Sequence, residues 1–231
     1  MALFVIGDTH LSFGTDKPMD IFKGWEGYTT LLEDNWRREI CAEDTVVVAG
    51  DISWGMDFAS ALPDLQFLHH LPGKKLLLKG NHDYWWTTAA KMNAFFEENQ
   101  LTSLSILHNN SYGTQDGISL CGTRGWVFES GQAQDTKVMN REAGRLEMSL
   151  KQAQTDRIFA FLHYPPLCEG ASAPALVDLL EKYKVEKCFY GHLHNTAVFL
   201  AVQGRIGAVE YKLISADALR FCPFKIETEK S

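Results

Sequence analysis

The sequence has no apolar run approaching the roughly 18 residues that a membrane span requires. Its apolar start, Ala2-Leu3-Phe4-Val5-Ile6, lacks a basic segment before it and passes straight into Gly7-Asp8. That is too short for a secretory leader and reads as a first strand. Cysteine is sparse: Cys41, Cys121, Cys168, Cys188 and Cys222 are odd in number and widely spaced, with no CxxC. Small buried thiols in a reducing compartment are expected, rather than a disulfide framework. Lys and Arg form no cluster in sequence, and 22 of them against 29 Asp and Glu give a formal net charge of −7. Duplex nucleic acid held by counterion release is therefore not expected. No linker, repeat or low-complexity stretch interrupts the chain, so one domain over 1–231 is the simplest division. These absences imply a soluble cytoplasmic protein with no membrane partner, in which the Asn109-Asn110-Ser111 sequon is inert. They say nothing of oligomeric state.

What is present is ordinary globular material, 45% hydrophobic over 231 residues, enough for one large core. Strands are expected at Leu3–Ile6, Thr45–Ala49, Lys75–Leu78, Ile158–Leu162 and Lys187–Tyr190, each a short apolar run closed by a polar turn. Helical spacing occupies 28–40, the stretch from Phe58 through Leu68, the stretch from Ala89 through Phe96, 139–153 and 173–182. Pro63 either starts a second short helix or kinks the first. Asp57 reads as a helix cap, and His69 and His70 as residues of a helix C-terminus. Leu104–Leu107 and Ile118–Cys121 look antiparallel or edge-like. The runs Ala197–Val202, Ile206–Val209 and Lys212–Ile214 read as an antiparallel tail closing a second sheet.

The chemistry gathers at the strand ends: Gly7-Asp8-Thr9-His10, Gly50-Asp51, Gly80-Asn81-His82-Asp83, His163-Tyr164-Pro165-Pro166 and Gly191-His192-Leu193-His194. Open α/β sheets place their sites at the carboxyl ends of strands. Asp8 and His10, two apart in extended chain, would project to one side. Each turn alone has a structural explanation, such as an Asx turn or a helix cap. A surplus of His, Asp and Asn at five like-placed turns is hard to explain by packing. Neutral imidazole suits Zn, Fe and Mn, while carboxylate and amide oxygens suit Mn and Mg. Gly122-Thr123-Arg124-Gly125-Trp126 is a further strand end, whose Arg124 would either clamp a phosphate or form a surface ion pair.

The ordered set Asp8-x-His10, Gly50-Asp51, Gly80-Asn81-His82-Asp83, His163 and Gly191-His192-x-His194 resembles the calcineurin-like metallophosphoesterases over residues 7–194. The resemblance implies a four-layer α/β/β/α sandwich of two mixed sheets with a binuclear site above the strand ends. It implies two divalent ions (Mn, Fe or Zn). Asp8, His10 and His194 would hold one, Asn81, His163 and His192 the other, and Asp51 would bridge them. A hydroxide activated by the pair would hydrolyse a phosphomonoester or phosphodiester of a small phosphorylated substrate. His82 would contact the phosphate or protonate the leaving oxygen, with Asp83 orienting its imidazole.

The sequence departs from the family where many members carry GDxxDRG, since Ile52-Ser53-Trp54-Gly55 follows Asp51 here. Trp85 and Trp86 also stand where phosphoprotein phosphatases often place a phosphate-binding Arg. A protein Ser/Thr phosphatase is thus disfavoured. A non-catalytic scaffold for partner binding and a mononuclear zinc amide hydrolase are the rival readings. Trp54, Tyr84, Trp85, Trp86 and Trp126 lie near the expected cleft, where they would stack on a nucleobase or pack its rim.

Overall fold

The computed structural model describes residues 1–126 and 133–229. In chain order its strands and α-helices are β1 (Leu3–Ile6), α1 (Tyr28–Glu39), β2 (Thr45–Ala49), α2 (Phe58–His70), β3 (Lys74–Leu78), α3 (Ala89–Glu98), β4 (Leu104–Ile106), β5 (Ser111–Gly113), β6 (Ile118–Thr123), α4 (Ala133–Lys151), β7 (Arg157–Leu162), β8 (Leu167–Cys168), β9 (Ala171–Ser172), α5 (Pro174–Lys182), β10 (Lys187–Tyr190), β11 (Gly204–Ile206), β12 (Val209–Leu213) and β13 (Phe224–Ile226).

The central strands are apolar on both faces because both faces are covered, as parallel sheets require. Phe4, Ile6, Val46, Val48 and Leu77 belong to the cluster that also holds apolar residues of α1, α2 and α3. Leu3, Val5, Val47, Leu76 and Leu78 face the other way, against Leu120, Phe159, Phe161 and Phe189 of the second sheet. The opposite face of that sheet, with Ala160, Leu162, Cys188 and Tyr190, packs with Leu146 and Leu150 of α4 and Leu176 and Leu180 of α5. The result is a helix-sheet-sheet-helix stack. The first sheet runs β13-β1-β2-β3-β4 and the second β11-β12-β10-β7-β6-β5, with β8 and β9 a separate hairpin. Among the described residues no helix is long and apolar enough to cross a membrane.

Several elements differ from the sequence expectation. The Leu104–Ile106 strand is an edge strand but parallel to its neighbour β3. β6 is interior, parallel to β7 and antiparallel to β5. Ser119 breaks its apolar run, yet it is fully buried because its hydroxyl accepts the Gln154 and Thr155 amides and meets the Thr155 hydroxyl. Pro63 does not start a second helix; α2 runs through it. Asp57 does cap α2, its carboxylate accepting the Ser60 amide at 2.9 Å. Ala197–Val202 is not a strand but falls largely in an exposed 3-10 segment, Asn195–Leu200. The Ile206–Val209 run splits across the β11/β12 hairpin, and β12 is parallel to β10 rather than antiparallel. β13, unforeseen because it is three residues long, returns to pair antiparallel with β1.

Candidate metal centre

The ladders continue past the strands into the turns. Asp8 N donates to Gly50 O at 2.8 Å, His10 N to Asp51 O at 2.9 Å, His163 N to Arg124 O at 3.1 Å, and Gly191 N to His163 O at 3.0 Å. The two sheets are joined here too, since Gly7 N donates to Ile214 O and Ala216 N to Gly7 O. The turns then twist sharply: Asp8, His10, Asp51 and His192 all have positive φ, at 59°, 42°, 48° and 72°. Non-glycine residues rarely occupy this region, and such strain concentrates at functional sites. Asp8 and His10 therefore meet through a left-handed turn, not through strand alternation. Glycine is required beside them. A Cβ on Gly80 would sit 2.1 Å from the amide nitrogen and Oδ1 of Asp51, and one on Gly191 2.3 Å from Asp8 Oδ2.

Two groups of ligand-type atoms result, Asp8/His10/His194 and Asp51/His163/His192, each within 4.8 Å of one another. His10 Nε2 lies 3.3 Å from His194 Nε2, and His194 Nε2 lies 3.2 Å from Asp8 Oδ1. His163 Nε2 lies 2.7 Å from Asn81 Oδ1 and 3.5 Å from Asp51 Oδ2. His10 Nε2 is 3.8 Å from Asp51 Oδ2, which places Asp51 between the groups.

The donor chemistry fits cations. His194 Nδ1 faces Asp217 Oδ1 at 3.0 Å and His163 Nδ1 faces Ala49 O at 3.3 Å. With those nitrogens donating, the Nε2 atoms are the ones left to meet a cation, and they point at carboxylate, amide and imidazole atoms. His10 Nδ1 is buried with no partner among the described residues. A divalent cation at each group would take up these facing atoms, displacing the His194 Nε2 proton.

The electrostatics agree. Burial and Asp8 push Asp51 up to about 7. Burial would also raise Asp8, but His194, His163 and His10 outweigh it and hold that carboxyl well below the usual range. Burial and His194 bring His10 down to about 3; burial and His163 bring His192 down to about 4. Both imidazoles are thus neutral at neutral pH. Burial opposes the charge on His194 too, but Asp8 and Asp217 lift it to about 10.

His82 stands beside the groups rather than in them. Its ring lies 4.5 Å from Trp54 and 5.9 Å from His10, and its Nδ1 is 3.5 Å from the Tyr84 hydroxyl. Burial and His163 lower its pKa. Its backbone amide donates to Asp51 Oδ1 at 2.7 Å. Asp83 makes no hydrogen bond to the His82 ring among the described residues. Its buried carboxylate accepts the amides of Gly80 (2.7 Å), Ile52 (2.8 Å) and Ser53 (3.2 Å) and the Trp85 indole N–H (3.1 Å). The expected role of Asp83 in orienting His82 is therefore corrected: it clamps the ends of two strands together. Burial and Asp51 still push it up to about 6, against those four donors.

Arg124 is also outside the groups. Its guanidinium pairs with Glu142 at 3.3 Å and lies over the Trp126 ring at 5.1 Å. Trp54 packs nearly flat on His10 at 5.0 Å, whereas Trp85 and Trp86 are buried in the core. Two supporting residues escaped sequence reasoning. Asp217 follows a strand of the second sheet but belongs to no Gly-bounded motif. Tyr28, read only as part of a helical stripe, donates its hydroxyl to His10 O at 2.7 Å.

Comparison with known proteins gives the site its family. A protein from Vesicomyosocius okutanii described as a probable cyclic nucleotide phosphodiesterase is 24% identical over 167 residues, covering 68% of this chain and 64% of the relative. The chain thus spans a little under two thirds of that relative. Among solved structures, the fold resembles the phosphopantetheinyl hydrolase PptH from Mycobacterium tuberculosis, at a TM-score of 0.60 and 13% identity over 99% and 96% of the two chains. It also resembles TT1561 of Thermus thermophilus, at a TM-score of 0.55 and 11% identity over 98% of each. The family model for calcineurin-like phosphoesterases matches residues 1–196, a span that includes every strand-end motif, and the chain belongs to that family.

Proposed function

We propose that this chain is a metal-dependent phosphohydrolase that cleaves a phosphomonoester or phosphodiester of a small phosphorylated substrate with two divalent cations. Asp8, His10 and His194 would hold one cation. Asn81, His163 and His192 would hold the other, with Asp51 shared. The observation that carries this reading is the gathering of Asp8, His10 and His194, and of Asp51, His163 and His192, into two groups of ligand-type atoms each within 4.8 Å of one another, with Asp51 Oδ2 between His10 and His163. When bound, such cations neutralise phosphoryl oxygens and make water acidic enough to attack near pH 7.

The protein's own contribution is position and charge. Asp217 turns His194 Nε2 toward the site, and Ala49 O does the same for His163. His82, whose pKa burial and His163 lower, would face the phosphoryl oxygens or, in its protonated form, give a proton to the leaving oxygen and return to neutral imidazole; Tyr84 occupies the Nδ1 side. Proton transfer of this kind is worth about 10²–10⁴-fold. Trp54 fixes the His82 ring from one face.

Hydrolysis of bis-p-nitrophenyl phosphate and p-nitrophenyl phosphate with added Mn²⁺ tests the reading. Turnover of at least one is expected, with Asp51→Asn losing metal and activity together and His82→Ala losing rate while retaining metal. Metal bound without turnover of either ester would favour the scaffold reading, and one metal per chain would favour a mononuclear hydrolase.

A further inference from the structure

A cavity of about 460 Å³ is lined by Lys79, Arg124, Arg141 and Arg145, with Trp86 and His108 among its other walls. It adjoins the metal loops through the backbone. Lys79 directly precedes Gly80-Asn81, and Arg124 O accepts the amides of His163 and Tyr164 at 3.1 and 2.9 Å.

Its charge is unbalanced in a chain of net −7. One buried carboxylate, Glu142, meets Arg145 at 2.6 Å, Arg124 at 3.3 Å and the Thr123 hydroxyl at 3.0 Å. Lys79 and Arg141 pair with no carboxylate among the described residues. Arg124 Nε and Trp86 Nε1 are buried donors without a partner among those residues. Arg141 and Arg145 stand four apart on α4, where like charges repel. Clustered guanidiniums, unused N–H donors and a single counter-charge that pins two of the arginines make a receptor for an oxyanion.

We propose that this cavity binds a second phosphoryl group of the substrate, so that the preferred substrates carry an anionic group separate from the ester that is cleaved. This rests on the phosphohydrolase reading above.

Hydrolysis-resistant ligands separate the two ideas. The Mn²⁺-loaded chain would be titrated by calorimetry with alkyl phosphonates and with α,ω-alkylene bisphosphonates of three to six carbons. At least one bisphosphonate should bind about tenfold tighter than the monophosphonate of equal length, the scale of one charge-assisted contact. Arg141→Ala, at an exposed position, and Lys79→Met should each shrink that gap, and Arg141→Lys should restore part of it. The inference is overturned if no spacer length exceeds the statistical twofold advantage, or if the gap survives both substitutions. Because these ligands are inert, failure to hydrolyse any ester would sink the phosphohydrolase reading without touching the affinity gap.

Discussion

Replacing Asp83 with alanine removes one acceptor from four buried donors: the amides of Gly80, Ile52 and Ser53 and the Trp85 indole. Each donor left unpaired in the interior costs about 1–3 kcal/mol. Part of that is offset, because the carboxylate is itself costly to bury and sits beside Asp51, which with burial pushes it up to about 6. The net loss should fall at about 3–5 kcal/mol, the range for breaking a buried ionic network. In a chain of this length 1 kcal/mol moves the unfolding midpoint by about 2–4 °C, so a drop of roughly 10 °C is expected. Circular dichroism melts of the metal-free and Mn²⁺-loaded variant measure it, with His82→Ala as the comparison that should melt near wild type. An Asp83→Ala protein melting within about 2 °C of wild type but with a collapsed kcat would refute the reasoning, since Asp83 would then act on substrate or through His82.

Three further outcomes follow from the same geometry. Gly191→Ala would place a methyl 2.3 Å from Asp8 Oδ2 and displace that carboxylate, so the purified variant should hold less metal than wild type by elemental analysis; full occupancy would contradict the close approach. His194, raised to about 10 from 6.5, is protonated at pH 7 in the metal-free chain, so its ion pairs stabilise that form below pH 6.5 and fade as pH climbs through about 10. Cation uptake at pH 7 should therefore release protons into an indicator dye, and metal affinity should rise with pH. Asp217→Ala should weaken metal binding about 10–100-fold, and undiminished affinity would show that the Asp217 contact does not matter.

The legible parts of the chain were those whose physics is local. Val46-Val47-Val48 and Leu76-Leu77-Leu78 announce central strands because a sheet covered on both faces needs apolar residues at every position. Gly50, Gly80 and Gly191 stand where loops crowd each other, so the ligand residues beside them could be read as turns with a purpose. The tail was less legible because alternation reports burial of one face and not strand direction. β12 alternates as an antiparallel strand would, yet runs parallel to β10. Asp83 was misjudged for a related reason. Its neighbour in sequence is His82, but its partners are amides on a strand end some thirty residues earlier, a contact no motif encodes. The cationic cavity was invisible for the same cause, since Lys79, Arg124 and Arg141 are scattered along the chain and meet only after folding.

The return of β13 to β1 sets an order on maturation. A nascent chain leaving the ribosome N-terminus first can align β1 through β4 early, but the open edge of β1 waits for Phe224–Ile226. Asp217 reaches His194 only in the same closing stretch, beyond the span that the family model matches. Until the stretch from Asp217 to β13 has been made, His194 lacks its carboxylate partner and the edge of β1 stays open.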